Sequence, residues 1–397
     1  MTIPIVYISG HGWGGAGDSL GRQWMLTDAL SRHVPVINLA LPDSREMSLR
    51  PPRPMVERVS PTYTVIRNAF ALRGSRGWRR LGKIGSGIDG RRINGILREM
   101  GYDQYVLWVS AVVPHLLDSL KLDRLVYDCI DPCFTPEGQA DHDAVEFALA
   151  RRAKLVFATA ESLHERMAAV NPNTHLLPNA APGPEFLPEN LARVARPDSL
   201  HGLPGPVVGY LGTVDWRFDA ETVTAAAKAL PDFTFCIVGR INADQEARIA
   251  GLRQLPNTIF PGAVSHEEGI AYTAHCDVAI IPFLPGPIGD AINPCKMYMY
   301  MMAGKPVVST WTRECARHAP YVKAARTAEG FTQAIKSAAS GDTPELRGAR
   351  TRFALQNRWE DRAATATDIL AGVGLLARDP AGQHGVPENA AALTPNP

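Results

Sequence analysis

The feature that most constrains the fold is an alternation of short apolar, β-branched runs with amphipathic segments along almost the whole chain of 397 residues. This alternation is typical of parallel sheets covered by helices. The length indicates two domains. A composition with 45% hydrophobic and 20% charged residues is that of a globular protein and excludes a fibre, a disulfide miniprotein and a wholly disordered chain. We therefore expect an α/β fold with two doubly wound domains.

The predicted elements fall into two sets. In the first half of the chain the predicted strands are Ile3–Ser9, Val34–Leu39, Gln104–Val109, Arg124–Asp128, Leu155–Ala158 and His175–Leu177, and one amphipathic helix covers Arg91–Met100. In the second half the strands are Val207–Leu211, Phe233–Val238, Thr258–Phe260, Val278–Ile281 and Pro306–Ser309. The helices there are Ala220–Leu230, Asp244–Leu252, Glu267–Thr273, Pro294–Ala303 and Phe331–Ala339.

A stretch rich in proline and glycine, residues 178–206, separates the two sets because these residues repeatedly prevent regular structure. We predict one domain over residues 1–185, a linker over 186–205 and a second domain over 206–375, whose last helix is able to pack back on the first. Residues 376–397 are small, polar and rich in proline, so their apolar content is too low to offset the entropy of ordering them. This segment is predicted to be a disordered tail.

The cysteines and the N-terminus indicate a cellular location. The six cysteines are scattered, with no CxxC motif and no zinc spacing, as expected for buried thiols in a reducing compartment and for a protein without a bound metal. The first residues, MTIPIVYISG, lack the pattern of a signal peptide, and no apolar run approaches the roughly 18 residues of a membrane-spanning helix. We predict a cytoplasmic protein.

A glycine-rich turn follows the first predicted strand. Residues 10–15, GHGWGG, fit the GxGxxG pattern of dinucleotide binding. The context fits poorly, because the next helix begins at Asp18 or Ser19 and no acidic residue closes the strand Val34–Leu39. An NAD-dependent oxidoreductase is therefore a disfavoured alternative to a loop that approaches a ligand closely. His11 in this turn is a candidate general base, with a histidine that has no chemical role as the alternative.

The most informative segment is DVAIIPFLPGPIGDAINPCKMYMYMMAGKPVVS, residues 277–309. A buried strand ends before Phe283, a Gly/Pro loop follows, and a helix begins at Asn293 and Pro294, where a proline's missing N–H costs nothing. Lys296 lies in the first turn. A helix N-terminus with a lysine beside it is suited to bind a diphosphate.

With this segment the sequence resembles the GT-B nucleotide-sugar glycosyltransferases, specifically the bacterial exopolysaccharide and teichuronic-acid biosynthesis type related to family 4. The other matching stretches are LVYDCIDPC (125–133), LLPNAAPGPEF (176–186), VVGYLGTVDWRFD (207–219), FTFCIVGR (233–240) and NTIFPGAVSHEE (257–268). The resemblance covers most of residues 1–375 and is specific in the second half. It implies two Rossmann-like domains that face a central cleft, with an acceptor-binding first domain and a donor-binding second domain.

The resemblance also implies which residues bind the donor, with a UDP-sugar favoured. The donor-binding residues would be Gly212, Thr213, Arg240, Phe283, Asn293, Pro294, Lys296, Met297 and Met299. Lys296 would neutralise the diphosphate near Gly212 and Thr213, and Arg240 would add a second positive charge. A surface ion pair is the alternative for Arg240, and core packing is the alternative for the methionines.

The chain departs from the family pattern at two acidic positions. Retaining family-4 enzymes carry two glutamates eight residues apart, one near the transferred sugar and one on the ribose hydroxyls, and here Ala291 and Met299 occupy those positions. Asp290 is adjacent to the first position but is a disfavoured substitute. The departure favours a metal-independent single displacement with inversion of configuration.

A single displacement requires a base that deprotonates the acceptor hydroxyl. In inverting GT-B enzymes this base is an Asp, Glu or His of the first domain that faces the cleft. The candidates here are Asp131, as first choice, Asp128 and His11. Capping of a loop is the alternative for Asp128.

Residues 45–98 carry a strong local charge, although the whole chain has a net charge of only +1. Thirteen basic residues and three acids give this segment an excess of +10. Apolar side chains lie among them, as in proteins that bind anionic membranes peripherally, where each basic residue is worth about 1 kcal/mol. The residues predicted to contact a membrane or a lipid-linked acceptor are Arg73, Arg76, Trp78, Arg79 and Arg80. A solvated, arginine-rich face is the alternative, and nucleic-acid binding fits less well.

The sequence thus predicts a glycosyltransferase that moves a sugar from a nucleotide-diphosphate donor to a hydroxyl of a glycan, lipid-linked or natural-product acceptor. A GT-B-like binding protein without catalysis is the main alternative, because the acid pair is missing. We expect no cofactor, no metal and no nucleic-acid partner, and a location in the cytoplasm or on the inner face of the membrane. The donor's base and sugar and the oligomeric state stay open.

Overall fold

The computed structural model describes residues 3–8, 21–39, 53–69, 82–110, 120–131, 139–203 and 205–377. His11, Arg73, Arg76, Trp78, Arg79 and Arg80 lie outside the described residues. So does nearly all of the predicted tail.

The first sheet has eight strands in the order β3-β4-β2-β1-β5-β6-β7-β8, and every neighbouring pair is parallel except the edge pair β3–β4. The strands are β1 (Ile5–Ile8), β2 (Val36–Leu39), β3 (Met55–Ser60), β4 (Tyr63–Arg67), β5 (Val106–Val109), β6 (Leu125–Cys129), β7 (Leu155–Ala158) and β8 (Thr174–Leu176). The central strands are buried on both faces, which explains why they are continuous apolar runs in the sequence. The helices described in this half are α1 (Arg22–Ser31), α2 (Gly82–Glu99), α3 (Gln139–Arg152), α4 (Glu161–Ala168) and α5 (Pro188–Leu191).

The second sheet has six parallel strands in the order β11-β10-β9-β12-β13-β14. Its strands are β9 (Val207–Leu211), β10 (Thr234–Val238), β11 (Thr258–Gly262), β12 (Val278–Ile281), β13 (Val307–Thr310) and β14 (Val322–Ala325). The helices are α6 (Ala220–Ala229), α7 (Glu246–Arg253), α8 (His266–His275), α9 (Cys295–Met302), α10 (Arg313–Arg317), α11 (Ala328–Ser340), α12 (Pro344–Leu355) and α13 (Trp359–Gly372).

The predicted α/β class with two parallel sheets is confirmed, and the predicted strands agree with the structure within about two residues at each end. The prediction missed β3, β4 and β14. Helix α2 also begins nine residues before the predicted start at Arg91. The residues of β3, MVERVS, are almost all exposed at the sheet edge, so this strand lacks the apolar pattern that identified the others.

The last helix belongs to the core of the first domain. Trp359, Ala363 and Leu370 of α13 pack in the same buried cluster as Leu26 and Leu30 of α1. The chain therefore leaves the first domain, builds the second and returns.

The two segments that connect the domains lie side by side. The backbone N–H of Ala181, in the outgoing segment, donates to the carbonyl oxygen of Asn357 in the returning segment at 2.8 Å, and Ala181 pairs with Arg358 in an isolated parallel bridge.

The stretch predicted as a linker, residues 186–205, carries short structured pieces. It contains α5 and a 3₁₀ turn at Asp198–Leu200, and its side chains Phe186 and Leu200 are buried in the core of the second domain. Leu376, the first residue of the predicted tail, packs in the core of the first domain. Apolar residues set among the prolines are thus sufficient to hold these segments against the domains.

Candidate functional site

Three loops of the second domain meet at the carboxyl edge of its sheet, where parallel α/β sheets bind ligands. They follow β9, β10 and β12. The loops after β9 and β10 touch each other so closely that a Cβ on Gly239 would lie 2.1 Å from the carbonyl oxygen of Gly212. Gly212 and Gly239 also have φ values of 153° and 135°, which L side chains rarely adopt. Glycine is therefore needed at both positions to form this edge.

Lys296 points at this junction from the first turn of α9. Its Nζ lies 3.2 Å from the hydroxyl of Tyr210, to which it donates, and 5.0 Å from the ring centroid of Phe283. A Cβ on Gly212 would lie 2.7 Å from the same Nζ. The Tyr210 hydroxyl in turn donates to the carbonyl oxygen of Thr213 at 2.8 Å. Lys296 is thus held at the loop after β9, where sequence analysis placed the donor diphosphate.

The ammonium of Lys296 has little compensating negative charge around it in the described part of the chain. Burial and, to a smaller extent, the positive charge of Arg217 lower its pKa, Asp215 opposes them, and the net pKa is about 8. Among the residues that the structure describes, no carboxylate oxygen lies within 4.0 Å of it. A cation in this situation favours the arrival of an anion.

Arg217 is a second cation at the same place, and sequence analysis did not single it out. Its guanidinium donates to both carboxylate oxygens of Asp215, with Nη2 to Oδ2 at 2.6 Å, and its Cζ lies 5.9 Å from the ring centroid of Phe283. Burial lowers the pKa of Arg217, but Asp215 and the charge of Asp131 outweigh this, so that the pKa is raised. We call Lys296 and Arg217 the cation pair; with Asp215 as their shared carboxylate neighbour, the three groups carry a net positive charge.

Asp131 reaches this region from the first domain. It lies two residues beyond the carboxyl end of β6 and is exposed. Its charge influences Arg217 of the second domain. Burial, together with the same charge, raises the pKa of Cys295 to about 11. Cys295 is the residue before Lys296. The predicted base therefore lies on the cleft side of the first domain, near the cation pair.

Asp128 is placed differently, and the structure does not support its prediction as a base. It is fully buried, and its two oxygens accept hydrogen bonds from Nε and Nη2 of Arg22 at 3.2 and 2.9 Å. A fully buried carboxylate that is held by a buried guanidinium is out of reach of an acceptor hydroxyl.

Asn293 joins the two domains at the start of α9. Its Oδ1 accepts the backbone N–H of Asn179 at 2.9 Å, and its Nδ2 donates to Oε2 of Glu314 at 2.8 Å. The Oε1 of Glu314 accepts the backbone N–H of Glu161, the first residue of α4, at 2.9 Å. We call these four residues the inter-domain network. Asn293 and the N-cap residue Pro294 thus fix the direction of α9, and the buried amide of Asn293 is already occupied.

The methionines predicted to contact the nucleoside are core residues. Met297 and Met299 are at most 5% exposed and pack with Met301 and Met302 in the core of the second domain. The helix turns these side chains toward the sheet, so the core-packing alternative fits them and the donor-binding prediction does not.

The remaining predicted donor residues lie near the edge. Arg240 is exposed, and its carbonyl oxygen accepts the N–H of Val214 at 2.8 Å, which places it beside the loop after β9. Asp290 is occupied, since its Oδ1 accepts the N–H of Arg313 at 2.7 Å. Phe283 is buried, with its ring facing the cation pair.

A cavity of about 220 Å³ adjoins the cation pair. Arg217 of the cation pair lines this cavity, as does Phe283, whose ring faces both cations. Trp216, Leu284, Ile288 and Ile292 also line it. We call it the apolar pocket.

No group of three or more His, Cys, Asp or Glu side chains in the described ranges is placed to hold a metal ion. No described helix combines the length and apolar character needed to cross a membrane.

Comparison with known proteins connects this geometry to a family. Residues 205–340 match the family model described as Glycosyl transferases group 1. The second domain is therefore a glycosyl transferases group 1 domain, and the resemblance drawn from its sequence is confirmed.

Two curated proteins are similar over part of the chain. "Putative teichuronic acid biosynthesis glycosyltransferase TuaH" of Bacillus subtilis (strain 168) is 28% identical over 221 residues, which are 51% of this chain and 55% of that protein. The 2-deoxystreptamine glucosyltransferase of Streptomyces kanamyceticus is 30% identical over 179 residues, 42% of this chain and 45% of that protein. The chain thus spans about half the length of the curated relatives it matches.

Solved structures match almost the whole chain. Sucrose-phosphate synthase from Thermosynechococcus elongatus superposes with a TM-score of 0.70 at 20% identity, over 94% of this chain and 99% of that one. The structure described as "Trehalose-6-phosphate from E. coli bound with UDP-2-fluoro glucose" gives a TM-score of 0.69 at 10% identity, over 92% and 98% of the two chains. These likenesses confirm the GT-B fold.

Proposed function

We propose that the protein is a glycosyltransferase that moves a sugar from a nucleoside-diphosphate donor, with UDP favoured, to a hydroxyl of a glycan, lipid-linked or natural-product acceptor. The observation that carries the proposal is the cation pair, which places Lys296 against Gly212 with no carboxylate partner of its own within ion-pair distance among the described residues. The family match of the second domain and the two curated glycosyltransferases that are similar over part of the chain support the proposal.

The donor diphosphate would bind between Lys296 and the loop at Gly212 and Thr213. There it would meet the ammonium, the positive end of α9 and the guanidinium of Arg217. The exposed Arg240 lies at the same edge and would add a more distant positive charge.

We propose a single displacement that inverts the anomeric centre. The Asp131 carboxylate accepts the proton of the acceptor hydroxyl, whose oxygen forms a bond to the anomeric carbon. The bond from that carbon to the phosphate oxygen breaks, and its electron pair leaves with the nucleoside diphosphate. The cation pair stabilises the negative charge that develops on the leaving group. The placement of Asp131 near Arg217 supports this assignment, and Ala291 and Met299 supply no acid for a retaining mechanism.

Calorimetric titration with UDP, dTDP and GDP tests the donor site. We expect at least one nucleotide to bind wild-type protein and to bind Lys296→Met at least tenfold more weakly, since a charge-assisted contact is lost. Lys228→Met, at an exposed lysine on α6, is the matched control and should bind as wild type. If no nucleotide binds the wild type, the proposal is wrong.

Product analysis separates an enzyme from the alternative of an inactive binding protein. With a panel of nucleotide sugars, we expect release of the nucleoside diphosphate by the wild type and none by Lys296→Met. The anomeric configuration of the product, read by NMR coupling constants, should be opposite to that of the donor. A product with the donor's configuration would contradict the inverting mechanism while leaving transfer itself intact.

We also propose peripheral contact with an anionic membrane through the basic segment, residues 45–98. Strand β3 supports this, because it exposes Met55, Val56 and Val59 beside Arg58. Sedimentation with anionic liposomes should be sensitive to salt and should weaken when Arg73, Arg76, Arg79 and Arg80 are all changed to Gln. Equal binding to neutral liposomes at high salt would contradict it.

A further inference from the structure

The first turn of α9, which carries Lys296, lies against both domains. The methionines that follow Lys296 pack in the core of the second domain. The residues just before it contact the first domain instead, since Ala291 packs in one core cluster of that domain and Cys295 packs against the other. The position of the Lys296 ammonium therefore depends on how the first domain holds the start of this helix.

Asn179 binds the start of α9 at two points. It lies in the outgoing segment between Leu177 and Ala180, which are both buried in the core of the first domain. Its backbone N–H donates to Oδ1 of Asn293 at 2.9 Å, and its Nδ2 donates to the carbonyl oxygen of Asn293 at 2.5 Å. These two hydrogen bonds fix the orientation of the residue that lies three positions before Lys296.

Arg22 orients the side chain of Asn179. Its Nη1 donates to Oδ1 of Asn179 and to the carbonyl oxygen of Pro178, at 3.3 Å each. Its Nε and Nη2 donate to Asp128, which fixes the plane of the guanidinium. Arg22, Asp128 and Asn179 are each at most 5% exposed. Because Arg22 occupies the amide oxygen of Asn179, the amide nitrogen is directed at Asn293.

The ammonium of Lys296 needs such a hold because its position is unfavourable in the free protein. It is buried near the positive charge of Arg217. Burial and repulsion between the cations both favour a movement of the first turn that returns the ammonium to water. This movement would carry Nζ away from Gly212, where a Cβ would lie only 2.7 Å from it. The hydrogen bonds of Asn179 oppose the movement.

We propose that Asn179, oriented by Arg22, is a positioning residue that keeps Lys296 at Gly212 in the donor site. The inference rests on the proposed function. Asn179 makes no contact with the donor in this account, and it acts through Asn293 and the first turn of α9. The affinity of the second domain for a nucleoside diphosphate thus depends on a hydrogen-bonded network anchored in the first domain.

Calorimetry with UDP, dTDP and GDP on the full chain tests the inference. Asn179→Ala should weaken binding of the nucleotide that binds the wild type by about threefold to tenfold. In the Lys296→Met background the same change should alter affinity by less than about twofold, because its effect passes through the ammonium. No loss in the wild-type background, or an equal loss in both backgrounds, overturns the inference. If none of the three nucleotides binds the wild type, the proposed function itself fails, so the two failures are distinguishable.

The pH profile gives a readout that a loss of stability alone does not change. In Asn179→Ala the ammonium leaves its buried position, so its pKa should rise from about 8 toward its ordinary value of 10.5. The fall in nucleotide affinity at alkaline pH should then begin at least one pH unit higher than in the wild type. An unchanged midpoint would contradict the inference. The titratable groups that influence this ammonium, all retained in the variant, are Arg217, Asp215, Cys295 and Cys315.

Asn171 offers a matched control in the first domain. It is 7% exposed, and its Nδ2 donates to the carbonyl oxygens of Ala150 and Ala153 at 2.8 Å each. Asn171→Ala removes a buried amide of the same kind and should lower stability while leaving nucleotide affinity and its pH profile as in the wild type. If Asn171→Ala weakened nucleotide binding as much as Asn179→Ala, the effect would reflect general destabilisation and the inference would be wrong.

Asn179→Asp isolates the hydrogen bond to the start of α9. The new carboxylate retains an oxygen that accepts from Arg22, but it cannot donate to the carbonyl oxygen of Asn293. We expect this variant to weaken nucleotide binding at least as much as Asn179→Ala. It carries the test alone if Asn179→Ala does not fold. Wild-type affinity in Asn179→Asp would show that this bond has no part in the donor site.

Discussion

At the scale of single residues, the chemistry of the proposed donor site depends on Lys296, whose burial beside a second cation is unfavourable in the unliganded protein. A charged amine that is largely removed from water beside a second cation is destabilised, and the pKa of about 8 for Lys296 expresses this. The structure gives no compensating carboxylate within ion-pair distance in the described part of the chain. The residue is thus better suited to bind an anion than to stabilise the unliganded protein.

This pKa predicts how donor binding varies with pH. The protonated amine binds the diphosphate, and its pKa in the free protein is about 8. Nucleoside-diphosphate affinity should therefore be nearly constant below pH 7 and fall by up to tenfold per pH unit above about pH 8. Calorimetry from pH 6.5 to 9.5 measures this. In Lys296→Met the decline should disappear, and a decline of the same size in that variant would assign it to another group.

Changing Asp131 to Asn should lower activity but not stability, whereas changing Asp128 to Asn should lower stability. Asp131→Asn removes the proposed base and should lower kcat by about 10²- to 10⁴-fold. Nucleotide affinity should not fall, because the change removes a negative charge near Arg217 and leaves both cations in place. Turnover assays and calorimetry on the same preparation separate the two effects.

Asp128→Asn leaves the buried Arg22 without its carboxylate and should lower the free energy of unfolding by about 3 kcal/mol, measured by urea denaturation. If Asp128→Asn were stable and inactive while Asp131→Asn stayed active, the proposed roles would be reversed.

Sequence reasoning reached some of these residues and not others. Lys296 was identifiable because a proline at the helix start and a lysine two residues later form a local pattern. Arg217 belongs to a matched stretch, but its partnership with Asp215 and its approach to Phe283 depend on how two loops meet. The burial of Met299 depends on which face α9 turns to the sheet. The contacts of Arg217 and the burial of Met299 both depend on the tertiary structure and not on neighbouring residues in the sequence.

At the scale of secondary-structure elements, the site depends on the tight contact between the loops after β9 and β10. A Cβ at Gly239 would overlap the backbone of Gly212, and the φ of 135° at Gly239 adds strain for an L side chain. Gly239→Ala should therefore lower the free energy of unfolding by about 1–3 kcal/mol and weaken nucleotide binding by about tenfold or more, because Gly212 moves relative to Lys296.

Gly251 provides a matched control for that prediction. It lies within α7, is exposed, and has no atom within 4 Å of an added Cβ. Gly251→Ala should be neutral or should raise the free energy of unfolding by about 0.5–1 kcal/mol. Chemical denaturation and nucleotide titration of both variants check the pair. Equal behaviour of the two variants would show that the loop contact has no part in the site.

The success of strand prediction also has a physical reason at this scale. Strands buried on both faces must be continuous apolar runs, and these were found along the chain. The edge strand β3 carries Glu57 and Arg58, and Glu57 pairs with Arg67 on β4. Strand β3 is stabilised by its pairing with β4 at the sheet edge rather than by burial, so its sequence resembles that of a loop.

At the scale of the whole molecule, the two domains are joined by contacts of different strength. On the outside, Arg313 pairs with Glu165 at 2.6 Å and Arg317 pairs with Glu161 at 2.7 Å, all partly solvent-exposed. Beneath them lies the buried inter-domain network around Asn293. Exposed ion pairs are worth about 0–1 kcal/mol each, whereas a buried polar group left without a partner costs about 1–3 kcal/mol.

This difference predicts that a change in the buried network lowers stability more than a change in an exposed ion pair. Arg313→Ala should lower the free energy of unfolding by less than about 1 kcal/mol, and 1 M NaCl should reduce the difference from wild type. Asn293→Ala should lower it by about 1–3 kcal/mol with little dependence on salt, because the Asn179 N–H and the Oε2 atom of Glu314 lose their partner. Urea denaturation at two salt concentrations measures both. A larger, salt-insensitive loss for Arg313→Ala would contradict this account.

The return of α13 to the first domain has a consequence for synthesis of the chain on the ribosome. The second domain lies wholly between two parts of the first, since α13 supplies Trp359, Ala363 and Leu370 to a core that begins at Ile5. Domains generally fold as units while the chain emerges from its N-terminus. Here the second domain is fully synthesised while the first still lacks its final helix. The domain that contains β1 is thus the later of the two to be completed.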